Sequence, residues 1–309
     1  MAKLKEWFIL GVVLLVCSII SIFITAGSGS FFRPNSVAII ELSGIISYDH
    51  SPISLFGETI TPQEVDEMVQ YVKEDPSIKA VVIFINSPGG SAAASEEIYQ
   101  TLRDLANDVV VVSYIGEYGA SGGYYIALAG DQIIASPHSL TGSIGAISLI
   151  INYAELMSKI GIKAETFKSG SMKDIGSPWR EINDEERKVM QSMIDSIAEL
   201  FEQRVRERRA DKVKDWEEVL SARPFTGVQA LKAGLIDQIG TLEDAIRIAR
   251  ELAGLPEDAP SEWIRPQLGL LDLIFGGSTK GNLKLSYEVL LMWPLPSPAE
   301  PHKMLISRP

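Results

Sequence analysis

Three times in this chain an apolar run leads to a corner rich in glycine and small residues. "KAVVIFIN" (79–86) runs into "SPGGS", "DVVVVSYI" (108–115) leads to "GASGG" (119–123), and "QIIAS" (132–136) is followed by "LTGSIG" (140–145). Strands this uniformly apolar are covered on both faces, which is the habit of a parallel sheet. Helical patterns lie between them. "TPQEVDEMVQYVKED" (61–75) opens with Thr61 as N-cap, Pro62 in the first turn and Glu64 closing a capping box. Strands alternating with helices predict an α/β fold of repeated βα units, joined by right-handed crossovers.

The same reading predicts strands at 37–46, 142–150 and 163–169 and a helix near 153–160. A long amphipathic helix is expected over 183–209, and a closing helix over 241–254 with Thr241 as its cap. Residues 37–258 read as one domain, and 259–309 as a tail whose short apolar pieces, "LGLLDLIFGG" and "YEVLLMWPLP", suit contacts with another subunit or a membrane surface. Ahead of the domain, no charge occurs from Trp7 to Phe32, and residues 7–26 supply 20 mostly apolar positions. That length spans a bilayer core of ~30 Å. Lys3 and Lys5 precede it and only Arg33 closely follows, so the positive-inside bias places residues 1–6 in the cytoplasm. Residues 27–36 are then a linker, and the domain stands outside the cell membrane. The net charge of −12 argues against nucleic acid as partner, and a single cysteine, Cys17, excludes a disulfide framework.

In an open α/β sheet, ligands gather at the carboxyl ends of the strands. The three corners therefore belong to one crevice. Ser121 sits at a strand-to-helix turn among Gly119, Ala120, Gly122 and Gly123, the setting of an exposed nucleophile beside backbone N–H donors. The Gly122 amide is one donor to an oxyanion, and Gly90 (or Gly89) the other. A serine needs a base. His138 in "SPHSLTG" is one candidate, while His50 and His302 lie in an early loop and the far tail. Lys168 and Lys173, in "TFKSGSMKDIGSPWRE" (166–181), are the others. A lysine works as a base only where desolvation lowers its pKa from ~10.4, and a hydroxyl such as Ser143 can hold the neutral amine. Composition leaves Lys168 and Lys173 open. The signatures Walker A and H-E-x-x-H are absent.

Taken in order, "INSPGGS" (85–91), "GASGGYYIA" (119–127), "SLTGSIG" (139–145), "FKSGSMKDIGSP" (167–178) and "ALKAGLIDQIG" (230–240) resemble the signal peptide peptidase A (protease IV) family over about residues 36–255. That resemblance implies a Clp-protease/crotonase-like fold and a membrane-anchored serine peptidase. It implies Ser121 as nucleophile, Lys173 as general base, Ser143 as the residue positioning the lysine, and Gly90 and Gly122 as oxyanion donors. It also implies a short single-repeat form that assembles into a homo-oligomeric ring and degrades remnant signal peptides without cofactor or metal. Two other readings share the fold: a crotonase-like acyl-CoA enzyme, and a catalytically idle membrane scaffold.

Overall fold

The computed structural model describes Leu15, residues 33–49, residues 59–264 and the short strand at 290–292. The chain divides into two units, Met1–Asn35 and Ser36–Pro309. Apart from Leu15, the expected membrane segment lies outside the described residues, as do Cys17, His50, His302 and most of the tail. Among the described residues no helix is long and apolar enough to cross a membrane.

The sheet runs β2 (Thr59–Ile60), β1 (Ser36–Ile46), β3 (Ile78–Ser91), β4 (Val110–Ala120), β5 (Gln132–Ala135) and β8 (Gln238–Ile239), all neighbours along this path being parallel. β9 (Ser261–Ile264) adds in parallel to β1. β6 (Leu140–Gly142) lies parallel to the far end of β4 and antiparallel to β7 (Pro224–Thr226). β10 (Leu290–Met292) runs antiparallel to the end of β3.

Alternation along the strands sorts the side chains into two cores. Ala38, Ile40 and Leu42 of β1 join Val81, Ile83 and Ile85 of β3 on one face. There they meet α1 (Pro62–Glu74), α2 (Ala92–Leu105), α3 (Gly122–Ala127) and the inner side of α5 (Asp184–Arg209), through Val65, Ile98, Tyr124 and Phe201. Val37, Ile39, Ala80, Val82, Val112 and Ile134 point the other way and pack on Ala245, Ile246, Ile248 and Ala249 of α6 (Leu242–Leu252). Neither face of the central strands is wet, which is why they read as unbroken apolar runs. Each such Val, Ile or Leu contributes ~1.5–3 kcal/mol by burial.

The capping signals are in place: Thr61 and Thr241 each accept a backbone N–H and close a box with Glu64 and Asp244. Two expected strands did not form. Residues 143–150 and 163–169 are irregular apart from one isolated bridge, and their apolar side chains find no sheet edge to pair with. Ile147, Leu149, Ile162 and Phe167 are all exposed, Phe167 by 92%. Between them α4 (Ala154–Lys159) forms as expected but buries no residue.

The run "ALKAGLIDQIG" closes the domain electrostatically. Asp237 accepts the Ile133 N–H at 2.8 Å and pairs with Arg209 at 2.9 Å and Lys212 at 2.6 Å. Burial works to raise the Asp237 pKa, but hydrogen bonds from Arg209 and Lys212 outweigh it and hold it below the usual carboxylate range. Arg209 is 3% exposed and also donates to the Gly234 carbonyl at 2.8 Å. Arg209→Met should therefore strand a mostly buried carboxylate and destabilise the domain by ~3 kcal/mol in urea unfolding. A loss below ~0.5 kcal/mol would show that Lys212 alone satisfies Asp237.

Candidate active site

Beyond the pair Ser87–Gly119, β3 and β4 part company. β3 continues to Ser91 beside β1, with Ile45 opposite Gly89 and Ile46 opposite Gly90. Gly89 has φ +106°, open to glycine at little cost. A Cβ on Gly90 would stand 2.0 Å from the Ile46 carbonyl oxygen, so only glycine allows this approach. Side chains fix the corner: the Gly89 N–H donates to Ser87 Oγ at 3.1 Å, and Tyr118 N–H to Asn86 Oδ1 at 3.0 Å.

β4 ends at Ala120, and Ser121, next in the chain, has φ +54° and ψ −119°. That region is strained for a residue with a Cβ, at a cost of ~1–3 kcal/mol. The strain is held by backbone bonds on both sides. Ser121 N–H donates to the Gly142 carbonyl at 2.7 Å, and the Ser121 carbonyl accepts from Tyr125 N–H at 2.9 Å. Thr141 Oγ1 reaches the Gly119 carbonyl at 2.7 Å, and Ser139 Oγ the Ile115 carbonyl at 3.0 Å. Ser143, one residue past Gly142, repeats the φ of +54°, and its N–H donates to the Arg223 carbonyl at 3.0 Å. Ser121 and Ser143 are 2% and 8% exposed, and among the described residues neither hydroxyl has a hydrogen-bond partner.

The first and second corners meet at Gly122. A Cβ there would lie 3.2 Å from the Gly90 nitrogen, 3.2 Å from the Gly89 Cα and 2.5 Å from Ser95 Oγ. One chain thus gathers Ser121, Gly122, Gly90 and, through Gly142, Ser143. On the edge of Gly89–Ser91 that β1 leaves free lies β10, antiparallel, with Leu291 opposite Gly90 and Met292 opposite Gly89. β10 also lies against α3, the helix that follows Ser121.

The candidate bases are placed very differently. His138 is on an exposed turn and makes no hydrogen bond to Ser121. Lys168 is occupied, bound to Asp174 at 2.5 Å and the Ser171 carbonyl at 2.8 Å. Lys173 is exposed, and among the described residues its ammonium has no partner. Within a single chain, then, Lys173 does not touch Ser121, and the dry pairing expected from the sequence is not formed.

The loop carrying Lys173 is nonetheless built. Arg180 grips Asp174 with two bonds of 2.8 Å and also binds Glu186, which is 1% exposed. Hydrogen bonds from Arg180 first, then Lys168, hold the Asp174 carboxyl well below the usual carboxylate range. Glu186 is lowered by Arg180 in the same way. This scaffold was not foreseen; its signal was the charged "KD" and "WRE" inside a Gly/Ser-rich loop.

Known proteins similar to this chain are peptidases for the most part. The profile of peptidase family S49 matches residues 103–256, and that of Clp protease matches residues 53–141. A putative protease of Methanocaldococcus jannaschii is 32% identical over 276 residues, covering 87% of this chain and 88% of that protein. A putative signal peptide peptidase SppA of Enterococcus faecium is 34% identical, covering 79% and 70% respectively. Protease 4 of Salmonella typhi is 31% identical over 85% of this chain but only 42% of its own length. Fold and relatives define a serine protease with a Clp-protease-like α/β fold and a mostly parallel sheet. The chain belongs to peptidase family S49, the signal peptide peptidase A and protease 4 group. Membership in a peptidase family displaces the acyl-CoA reading.

A depressed carboxyl contributes stability above its unfolded pKa of ~3.9, and that contribution is lost as pH falls through the folded value. Arg180→Met should therefore melt below wild type at pH 7, with the gap narrowing towards pH ~3. Equal melting at pH 7 would show that the Arg180 cluster does not stabilise the loop.

Proposed function

We propose that the protein is a membrane-anchored endopeptidase that hydrolyses hydrophobic peptides, remnant signal peptides in particular, with Ser121 as nucleophile and Lys173 as general base. The observation that carries this reading is the corner itself. A buried serine in strained backbone has a glycine amide beside it and a second glycine nitrogen close by, 3.2 Å from where a Cβ on Gly122 would stand. Ser121 Oγ attacks the scissile carbonyl carbon and gives its proton to the neutral amine of Lys173. The Gly122 and Gly90 N–H groups hold the oxyanion that develops. Lys173 protonates the leaving amine, and water, activated by the same amine, frees the acyl group.

The substrate class is supported by β10. An extended segment already lies in antiparallel register along Gly89–Ser91, so this edge accepts a peptide backbone by strand addition. An anchor over residues 7–26 would hold the domain at the outer membrane face and concentrate it near membrane-bound peptides.

The base must come from elsewhere than the same chain's own loop as it stands. We place it in a homo-oligomeric ring, where Lys173 of one copy is delivered to Ser121 of the next and held there by Ser143. Two features support this. Lys173 stands free on a loop braced by Arg180, and an exposed apolar run precedes it: Leu149, Ile151, Leu156, Ile160, Ile162 and Phe167, each more than half exposed. Such a surface suits subunit burial, and burial at a subunit boundary also supplies the desolvation that a lysine base requires.

Ser121→Ala and Lys173→Ala, each made in the full chain, should lower the rate of peptide cleavage by at least ~100-fold. Ser121 should be the residue that a fluorophosphonate labels in the wild type. Cleavage that survives Lys173→Ala but disappears in His138→Ala would transfer the base role to the histidine. An active Ser121→Ala enzyme would remove the reading altogether.

A further inference from the structure

Each of the two amides assigned to the oxyanion stands at the head of a helix. α2 begins at Ala92, two residues after Gly90, with Ser91 as its N-cap accepting from the Ala94 N–H at 3.4 Å. α3 begins at Gly122. Two donors serve one oxygen only if both lie within ~2.7–3.1 Å of it, so the separation of the two helix heads is a catalytic dimension. Two contacts set it. Near the heads, Ser95 packs against Gly122 so closely that a Cβ there would meet its Oγ at 2.5 Å. A turn further in, the Tyr125 hydroxyl of α3 donates a hydrogen bond to Glu96 of α2.

Glu96 is held by two further residues. Arg204 of α5 reaches Oε1 at 2.6 Å and Oε2 at 3.4 Å, and Gln100 donates at 2.6 Å. The Arg204 guanidinium also lies 5.4 Å from the centre of the Tyr99 ring. Tyr99 packs edge-on to Tyr125 with centroids 5.6 Å apart, and Tyr125 lies 4.7 Å from Phe201 of α5. Burial first, and the bond to Glu96 second, push the Tyr125 hydroxyl far above the usual tyrosine range. Burial acts to raise Glu96, but its bonds from Arg204, Tyr125 and Gln100 outweigh this and lower it. The phenol therefore stays a donor and the carboxylate an acceptor throughout the neutral range.

We infer that the Tyr125–Glu96 bond, braced by Arg204, is a strut that fixes the spacing of the Gly90 and Gly122 amides, making Tyr125 and Glu96 positioning residues of the oxyanion site. The inference rests on the oxyanion role proposed above for those two glycines. Neither side chain touches the reacting atoms. Tyr125 sits three residues from Gly122 and Glu96 six residues from Gly90, so an adjustment at the strut moves each helix head as a lever.

The test compares full-length wild type, Tyr125→Phe, Glu96→Ala and Glu96→Gln by backbone hydrogen exchange and by kinetics. Tyr125→Phe and Glu96→Ala should each raise exchange about tenfold in both segments 87–95 and 119–127 and leave β1 unchanged. The amide oxygen of Glu96→Gln can still accept from Tyr125, so that variant should stay nearer to wild type. kcat should fall about tenfold with KM within about twofold, because the lost interaction is made in the transition state. Affinity for a peptide aldehyde, whose hemiacetal oxygen takes the oxyanion position, should fall by the same factor. The strut is refuted if melting temperature drops while kcat and aldehyde affinity hold, or if exchange rises evenly across the domain or in one segment alone. A wild type with neither cleavage nor aldehyde binding would refute the peptidase reading instead, and exchange would still decide the strut.

Discussion

A single backbone hydrogen bond, from Ser121 N–H to the Gly142 carbonyl, carries much of this architecture. It ties the end of β4 to β6 where Ser121 is forced into positive φ, and it places Ser143 one residue away, in the same unusual conformation. Strain of this kind persists only where the surroundings over-determine it. Here they do: Thr141 and Ser139 hold the carbonyls leading into the corner, and the Tyr125 N–H holds the one leaving it. The outcome is a serine side chain turned out of the regular sheet, beside a glycine amide, with no hydrogen bond of its own to break before it reacts.

The rest of the fold works towards keeping that corner still. α3 is little more than a turn and a half of buried helix, too short to be stable by itself. Its far end is tied by arginines: Arg208 donates to the Leu128 and Gly130 carbonyls, and Arg103 to that of Ala129. Arg208 and Arg204 both come from α5, so one long helix ties the far end of the short one and, through Glu96, its Tyr125. Arg209, the next residue on α5, locks the same helix to Asp237 and so to the sheet. The order of importance is therefore sheet, then brace, then corner.

Much of this was legible in the sequence. Unbroken apolar runs gave the parallel strands, because burial on both faces leaves no place for a polar residue. Capping boxes at Thr61 and Thr241 marked helix starts, since a side chain that satisfies orphan amides leaves a local signature. Ser121 and its glycines were readable for the same local reason. The failures have a common cause. Residues 142–150 and 163–169 carry strand-like apolar patterns, but pattern reports that a side chain seeks burial and not what will bury it. In one chain Leu149 and Phe167 remain in water. Long-range partners left no trace at all. Nothing in "SEEIYQ" announces that Glu96 will meet Tyr125 and Arg204, because those contacts span 29 and 108 residues.

The central claim is a shared active site, with the nucleophile of one copy served by the lysine of another. Co-expressing Ser121→Ala and Lys173→Ala chains, each inactive alone, tests it most directly. If bases pass between copies, random co-assembly in equal amounts restores intact Ser–Lys pairs at about one site in four, and cleavage should recover to about a quarter of wild type. Co-assembled oligomers that stay as inactive as either variant alone would confine both groups to one chain and contradict this account.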